Sequence, residues 1–224
     1  MFSVVFEVKP CAGKIDDYLD NAEILRVELE HIEGFIDNVR YKSLTREGWV
    51  LSVSSWKDEK ALVRWRTAAK HHEAQALGRS AIFEDYHLRV GQLVADSQLP
   101  SGREPYEQRF DLTEVGEGSA ITLIQAKRPL AYDGTSNPAA CAEYIGLDPY
   151  AADMTSWDIF EAVLTPGDLI LVMSFKDEGA ALQYEDLLVE LPGDARTRRV
   201  RVIRDYGMRD RREAPQYFPP VEID

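Results

Sequence analysis

The chain has 224 residues, a formal net charge of -13 and a sequence pI of about 4.8. That acidity opposes a general nucleic-acid role, because phosphate binding needs a basic face. Cys11 and Cys141 offer neither metal-ligand spacing nor a disulfide framework, so no metal site is expected and a reducing cytoplasm suits the chain. The sequence enters a strand pattern at Phe2 with no basic leader and no long apolar run, which implies neither signal peptide nor membrane partner.

Phe2 to Val8 is apolar and β-branched and reads as a strand ended by Pro10 and Gly13. From Ile15 to Ile32, Tyr18, Ala22, Leu25, Leu29 and Ile32 fall three or four apart, the spacing of one helical face. Gly34 closes that helix. Phe35 to Leu44 and Trp49 to Trp56 read as two strands joined by Arg46-Glu47-Gly48. Asp58 caps a second helix, which carries Ala61, Leu62, Trp65, Ala68 and Ala69 on one side and is expected to reach Leu77, with Gly78 as its stop. Ile82 to Val90 is a fourth strand. The order is β-α-β-β-α-β, which right-handed crossovers turn into a ferredoxin-like antiparallel sheet with both helices on one face.

The order then repeats. Ser55-Trp56-Lys57-Asp58-Glu59 returns as Ser174-Phe175-Lys176-Asp177-Glu178, and the same offset aligns Gly48 with Gly167 and Trp65 with Tyr184. A register held from strand to helix to strand implies two copies of one domain. The second copy has strands at Ala120–Lys127, Ser156–Leu164, Leu169–Phe175 and Arg199–Tyr206, a short first helix near Pro138, and a second helix from Glu178 to Glu190. The domains expected are 1–95 and 118–210, with a linker at 96–117 in which Tyr106, Phe110 and Leu112 dock, and an extended tail at 211–224. The fold class is α+β. Strands 1 and 3 are apolar on both faces, so the two halves are expected to pack sheet to sheet as an intramolecular dimeric α+β barrel. Met208, Tyr217, Phe218 and Val221 mark the C-terminal segment as a docking segment, on its own chain or across a homodimer.

Glu33-Gly34-Phe35, Ser55-Trp56-Lys57, the Trp65 helix, Gly78-Arg79 and Asp85-Tyr86 resemble the antibiotic biosynthesis monooxygenase (ABM) family of the dimeric α+β barrel superfamily. The resemblance implies cofactor-free oxygenation of a small aromatic or quinol. The family also includes haem-degrading enzymes that use an Asn on strand 1 and a Trp and a His on helix 2. Trp65 stands at that Trp, Glu7 at the Asn and Gln75 nearest the His. The alternatives are therefore a haem-binding or haem-degrading protein, and a non-catalytic small-molecule binding or stress-related protein.

The site is expected in the N-terminal half, where alone the His and Gly-Arg elements occur. His71 and His72 point about 100° apart on a helix, so at most one faces a pocket. His72 is the candidate acid/base or haem ligand. His71 reads more readily as a helix-end residue bonded to a nearby carbonyl or acid. Trp65 is the candidate aromatic wall, and Arg40, Tyr41, Arg79 and Glu7 are the candidate groups for fixing substrate oxygens.

Overall fold

Alternation along β1 (Phe2–Pro10) sends Phe2 and Val8 to one side and Val5 to the other, and all three are buried. α1 (Ile15–Glu30) follows with Asp16 and Asp17 in its first turn, where the helix dipole favours them. Gly34, at φ +90°, turns the chain into β2 (Phe35–Ser43) and β3 (Val50–Trp56). α2 (Glu59–Thr67) starts where the Asp58 carboxylate accepts the Ala61 N–H at 2.8 Å. The single long helix expected from here is broken. Ala68 is extended, at ψ 132°, and α3 (Ala69–Leu77) starts afresh. A π-helical turn at Gly78–Ile82 then replaces the expected stop at Gly78. β4 (Phe83–Asp96) runs past the expected end at Val90. The second series is β5 (Ala120–Lys127), α4 (Pro138–Tyr144), β6 (Met154–Ala162), β7 (Asp168–Phe175), α5 (Glu178–Asp186) and β8 (Arg196–Gly207). The computed structural model describes residues 1–99, 105–129, 137–188 and 190–215.

The eight strands close into one barrel in the order β1-β3-β2-β6-β7-β5-β8-β4. Each half contributes four neighbours in the ferredoxin-like order, and the halves join at two antiparallel seams. One is long, pairing His87 to Asp96 of β4 with Gly207 to Arg198 of β8. That pairing is why β4 outruns its sequence pattern. The other is short, joining Tyr41–Ser43 to Phe160–Ala162. Val5, Leu51, Val53, Ile121, Leu123, Phe160, Ile170, Val172 and Val202 fill the barrel interior. The opposite faces pack against helices, with Phe2, Trp56, Leu62 and Trp65 in one cluster and Ile124, Cys141, Ile145, Phe175 and Tyr184 in another. Each fully buried Val, Leu, Ile or Phe contributes roughly 1.5–3 kcal/mol, so apolar burial supplies most of the stability. Among the described residues no helix is long and apolar enough to cross a membrane.

A charged network sits inside the barrel and crosses between the halves. The Glu7 carboxylate accepts from both Arg89 and Arg46. Arg46 also donates to Asp158 on β6 at 2.7 Å, and Arg89 donates to Ser174 on β7 at 2.6 Å. Ser43 and Thr45 hydroxyls bond the same Asp158 carboxylate. Burial alone would push the Glu7 carboxyl up, but the Arg89 and Arg46 guanidiniums outweigh it and hold it below its usual range. Glu7 and Tyr41 therefore belong to the barrel interior, where the Tyr41 hydroxyl accepts from Gln125 Nε2 at 2.8 Å.

The segment between the halves docks through polar groups rather than through its apolar side chains. Tyr106, Phe110 and Leu112 are exposed, whereas the Gln108 and Arg109 N–H groups donate to Gln92 Oε1 and Arg109 pairs with Glu59 at 2.6 Å. Beyond β8, Met208 is buried and Ala214 packs on the same cluster, so this part of the C-terminal segment docks on its own chain. Tyr217, Phe218 and Val221 of the expected docking tail lie outside the described residues, as do Pro100 and Gly102 of the linker.

Removing one partner of a buried ion pair leaves the other uncompensated and costs about 3–5 kcal/mol. Glu7→Gln and Asp158→Asn are each expected to lower unfolding stability on that scale in urea titrations. Lys14→Ala, which breaks an exposed pair with Asp17, is expected to change nothing measurable. Equal effects at the buried and exposed pairs would contradict a stabilising role for the interior network.

Candidate functional site

A cavity of about 210 Å³ lies between the outer face of the first half's sheet and its helices. Its floor is made by alternate residues of the strands: Val4 and Phe6 on β1, Asn38 and Arg40 on β2, Ser52, Ser54 and Trp56 on β3, and Tyr86, Leu88 and Val90 on β4. The period of two explains which candidates reach it. Arg40 points in, while its neighbour Tyr41 points into the barrel. Phe6 points in, while Glu7 does not. Trp65, Arg66, His71, Gln75 and Arg79 come from the helical side and form the roof together with Tyr18, Ala22 and Leu25 of α1.

The histidine that lines the cavity is His71, and His72 is exposed. The break at Ala68 is the cause. A helix continuous from Ala61 and Trp65 would carry position 72 on the same face, but restarting at Ala69 rotates the register by one residue. His71, Ala74, Gln75 and Gly78 then share the inner face. The His71 ring stacks on Trp65 with centroids 4.2 Å apart and planes 14° apart. Its Nδ1 lies 3.0 Å from the Trp65 carbonyl oxygen, which can only accept, so Nδ1 carries the proton and Nε2 keeps its lone pair. Gln75 Nε2 stands 3.5 Å from that Nε2. Burial pulls the His71 imidazole down to about 4, so the ring is neutral near pH 7 and presents a base rather than a cation.

Four arginines line the cavity: Arg40, Arg66, Arg79 and Arg211. Among the described lining residues there is no Asp or Glu. Arg79 Nη1 donates to the Tyr86 hydroxyl at 2.6 Å. Burial holds the Tyr18 hydroxyl above its usual range, against the opposing effect of the Arg40 guanidinium. Tyr206 of β8 is pushed up to about 12 by burial, so it stays a neutral donor. Asn38 donates to Ser52 at 2.8 Å, and its own carbonyl oxygen is buried without a hydrogen-bond partner, as is the carbonyl oxygen of Gln75. Arg66, Tyr206 and Arg211 escaped the sequence reading. Asp205-Tyr206 reads from sequence as a strand interface, and no periodicity places the segment after β8 beside the first half.

Among the described residues of the second half, the corresponding space is filled. Tyr184, the counterpart of Trp65, turns its hydroxyl to the Gly146 carbonyl and receives the Asp148 N–H at 2.9 Å. Cys141, Ala142 and Ile145 fill the space above Phe175. A separate depression of about 360 Å³ lies beside α5, with Tyr184 in its wall and Tyr150 and Leu187 exposed at it, and its described lining holds no Arg, Lys or His.

A fold of two sheets closed into an α+β barrel, with a pocket under the helices of one half, defines a class, and the relatives agree with it. The profile of the antibiotic biosynthesis monooxygenase family matches residues 1–77. A jasmonate monooxygenase, ABM, from Pyricularia oryzae is 44% identical, with the similarity spanning 99% of this chain and 100% of the relative. The chain belongs to the antibiotic biosynthesis monooxygenase family. Among solved structures, an aldoxime dehydratase (OxdRE) crystallised with butyraldoxime shares 10% identity over 90% of this chain and 79% of that one, with a TM-score of 0.54, which shows the fold alone.

Because His71 titrates near 6.5 when unfolded and near 4 when folded, the unfolded chain binds more protons between those values. The contribution of this group to stability is therefore present above pH 6.5 and is lost as pH falls towards 4, by at most about 1.4 kcal/mol per pH unit. His71→Phe keeps a flat ring against Trp65 and removes the titration. Urea melts across that window are expected to show a shallower pH dependence in the variant, and parallel curves would remove the buried neutral imidazole.

Proposed function

We propose that this chain is a cofactor-independent monooxygenase acting on a small apolar acid of the jasmonate type. The observation that carries this reading is a cavity walled by Val4, Phe6, Trp56 and Trp65 into which guanidinium and amide groups also reach, from Arg40, Asn38 and Gln75. Polar donors beside apolar walls suit a ligand that carries an oxygen-bearing end on an apolar body. Jasmonate, the compound in the name of the 44% identical relative, is such a molecule. Trp65, Trp56 and Phe6 would pack its apolar part, and the neutral His71 would take a proton at Nε2 from a carbon acid held beside it.

Electron balance separates two outcomes. Taking an activated methylene to a carbonyl, CH2 + O2 → C=O + H2O, draws every electron from the substrate and needs no cofactor. Forming an alcohol from the same C–H bond needs two further electrons and two protons from an external donor. Haem is the poorer fit. Pockets for drug-sized ligands usually begin near roughly 300 Å³, and this one is smaller. The cavity's histidine is also already stacked on Trp65 and bonded to its carbonyl. A planar aromatic or quinol is the second reading, favoured by the flat wall of stacked Trp65 and His71.

Oxygen uptake with 18O2 tests the proposal, with jasmonate and a panel of quinols as substrates and with or without an added two-electron donor. One labelled oxygen is expected in the product from jasmonate. His71→Phe is expected to lower kcat by about 10²–10⁴-fold, the scale of general-base catalysis. Labelled quinol product with jasmonate untouched would favour the second reading, and no label in any product would end both.

A further inference from the structure

Two amide side chains line the cavity, Asn38 from the floor on β2 and Gln75 from the roof on α3. Each is anchored through its nitrogen. Asn38 Nδ2 donates to the Ser52 hydroxyl at 2.8 Å and to the Val53 carbonyl at 3.5 Å. A carbonyl can only accept, so the nitrogen of this amide, not its oxygen, faces β3. Gln75 is oriented by a longer chain. The Trp65 carbonyl takes the Nδ1 proton of His71, which leaves Nε2 able only to accept, and Gln75 Nε2 stands 3.5 Å from it.

Both amide oxygens are then buried with no hydrogen-bond partner among the described residues. A buried carbonyl normally finds a donor, because it has lost water and an unmade bond is costly. Anchoring accounts for the nitrogen of each amide and leaves the oxygen unexplained. Asn is also depleted in strands, so local propensity does not account for Asn38 on β2. A molecule lying between sheet and helices meets one such acceptor on each side.

We propose that Asn38 and Gln75 are specificity residues that accept from a hydroxyl group of the ligand, so that the cavity takes apolar alcohols and phenols in preference to their methyl ethers. This rests on the reading of the cavity as a site for an apolar molecule with an oxygen-bearing end. A carboxylate or a ketone brings no proton to these oxygens, so the hydroxyl is a group additional to an acid end. An apolar acid that also carries a hydroxyl binds better than its parent acid on this account. Asn38 and Gln75 are binding groups and take no part in the proton transfer assigned to His71.

Calorimetric titration of the full chain tests this without turnover, using 4-propylphenol, cyclohexylmethanol and 1-octanol, each against its methyl ether. The wild type is expected to bind at least one of the three about ten-fold or more tightly than its ether, because a methyl group in place of the proton leaves the acceptors unpaired. Gln75→Leu and Asn38→Leu are each expected to reduce that ratio, and the double variant to bring it within about two-fold. A merely structural role would weaken both members of a pair together. Thermal melts of each variant establish that it folds. A wild type that binds no alcohol or phenol more tightly than its ether overturns the proposal, and so does a preference that survives intact in both single variants. Hydroxyl preference without oxygen uptake would support the two acceptors and refute the monooxygenase reading. Oxygen uptake without hydroxyl preference would do the reverse, so the two fail separately.

Discussion

Strands β1 and β3 are apolar on both faces, and a four-stranded sheet with helices on one side can cover only one of them. Burying Val5, Leu51 and Val53 requires a second sheet, and the second half supplies it. Closure into a barrel also removes free sheet edges, which an open pair of sheets would leave exposed. The Glu7–Arg46–Asp158 network adds no comparable energy, because desolvation offsets much of the attraction in a buried pair. Its consequence is geometric: charges that must find one another across the interior tolerate a single register between β1, the β2–β3 turn and β6.

Side chains of both halves pack the barrel interior, and the cavity of the first half lies between sheet and helices. The two halves resolve that space differently. In the first, the break at Ala68 and the π-helical turn at Gly78–Ile82 carry the helical layer over a hollow, and His71 spans the break by bonding the Trp65 carbonyl. In the second, Tyr184 reaches across to Gly146, and Ile145 and Cys141 close the gap with apolar volume. One sheet architecture thus carries an arginine-lined cavity against the sheet in one half and apolar packing against it in the other, through a few side chains and one helix break.

The reach of the C-terminal half to the cavity follows from the long seam. β8 lies beside β4, so whatever follows β8 emerges at the rim of the cavity that β4 floors. Tyr206 and Arg211 reach the pocket by that adjacency.

Much of the fold was legible in the residues themselves. The apolar, β-branched run of Phe2 to Val8, the Asp58 cap, and the recurrence of Ser55–Glu59 at Ser174–Glu178 marked the elements and their order. The two-faced strands implied a sheet-to-sheet barrel, because local periodicity reports directly which faces must be buried. The same alternation could have separated Arg40 from Tyr41 and Phe6 from Glu7, had the face towards the helices been known. What sequence could not supply was phase across the break at Ala68. Neither flanking helix reveals that Ala68 is extended, so His72 stood where the folded chain puts His71. Nor could it bring Arg211 to Tyr86, two residues more than a hundred positions apart. Local propensity carries no information about which chain segment lies beside another once the barrel closes, and only the pairing of β4 with β8 decides it.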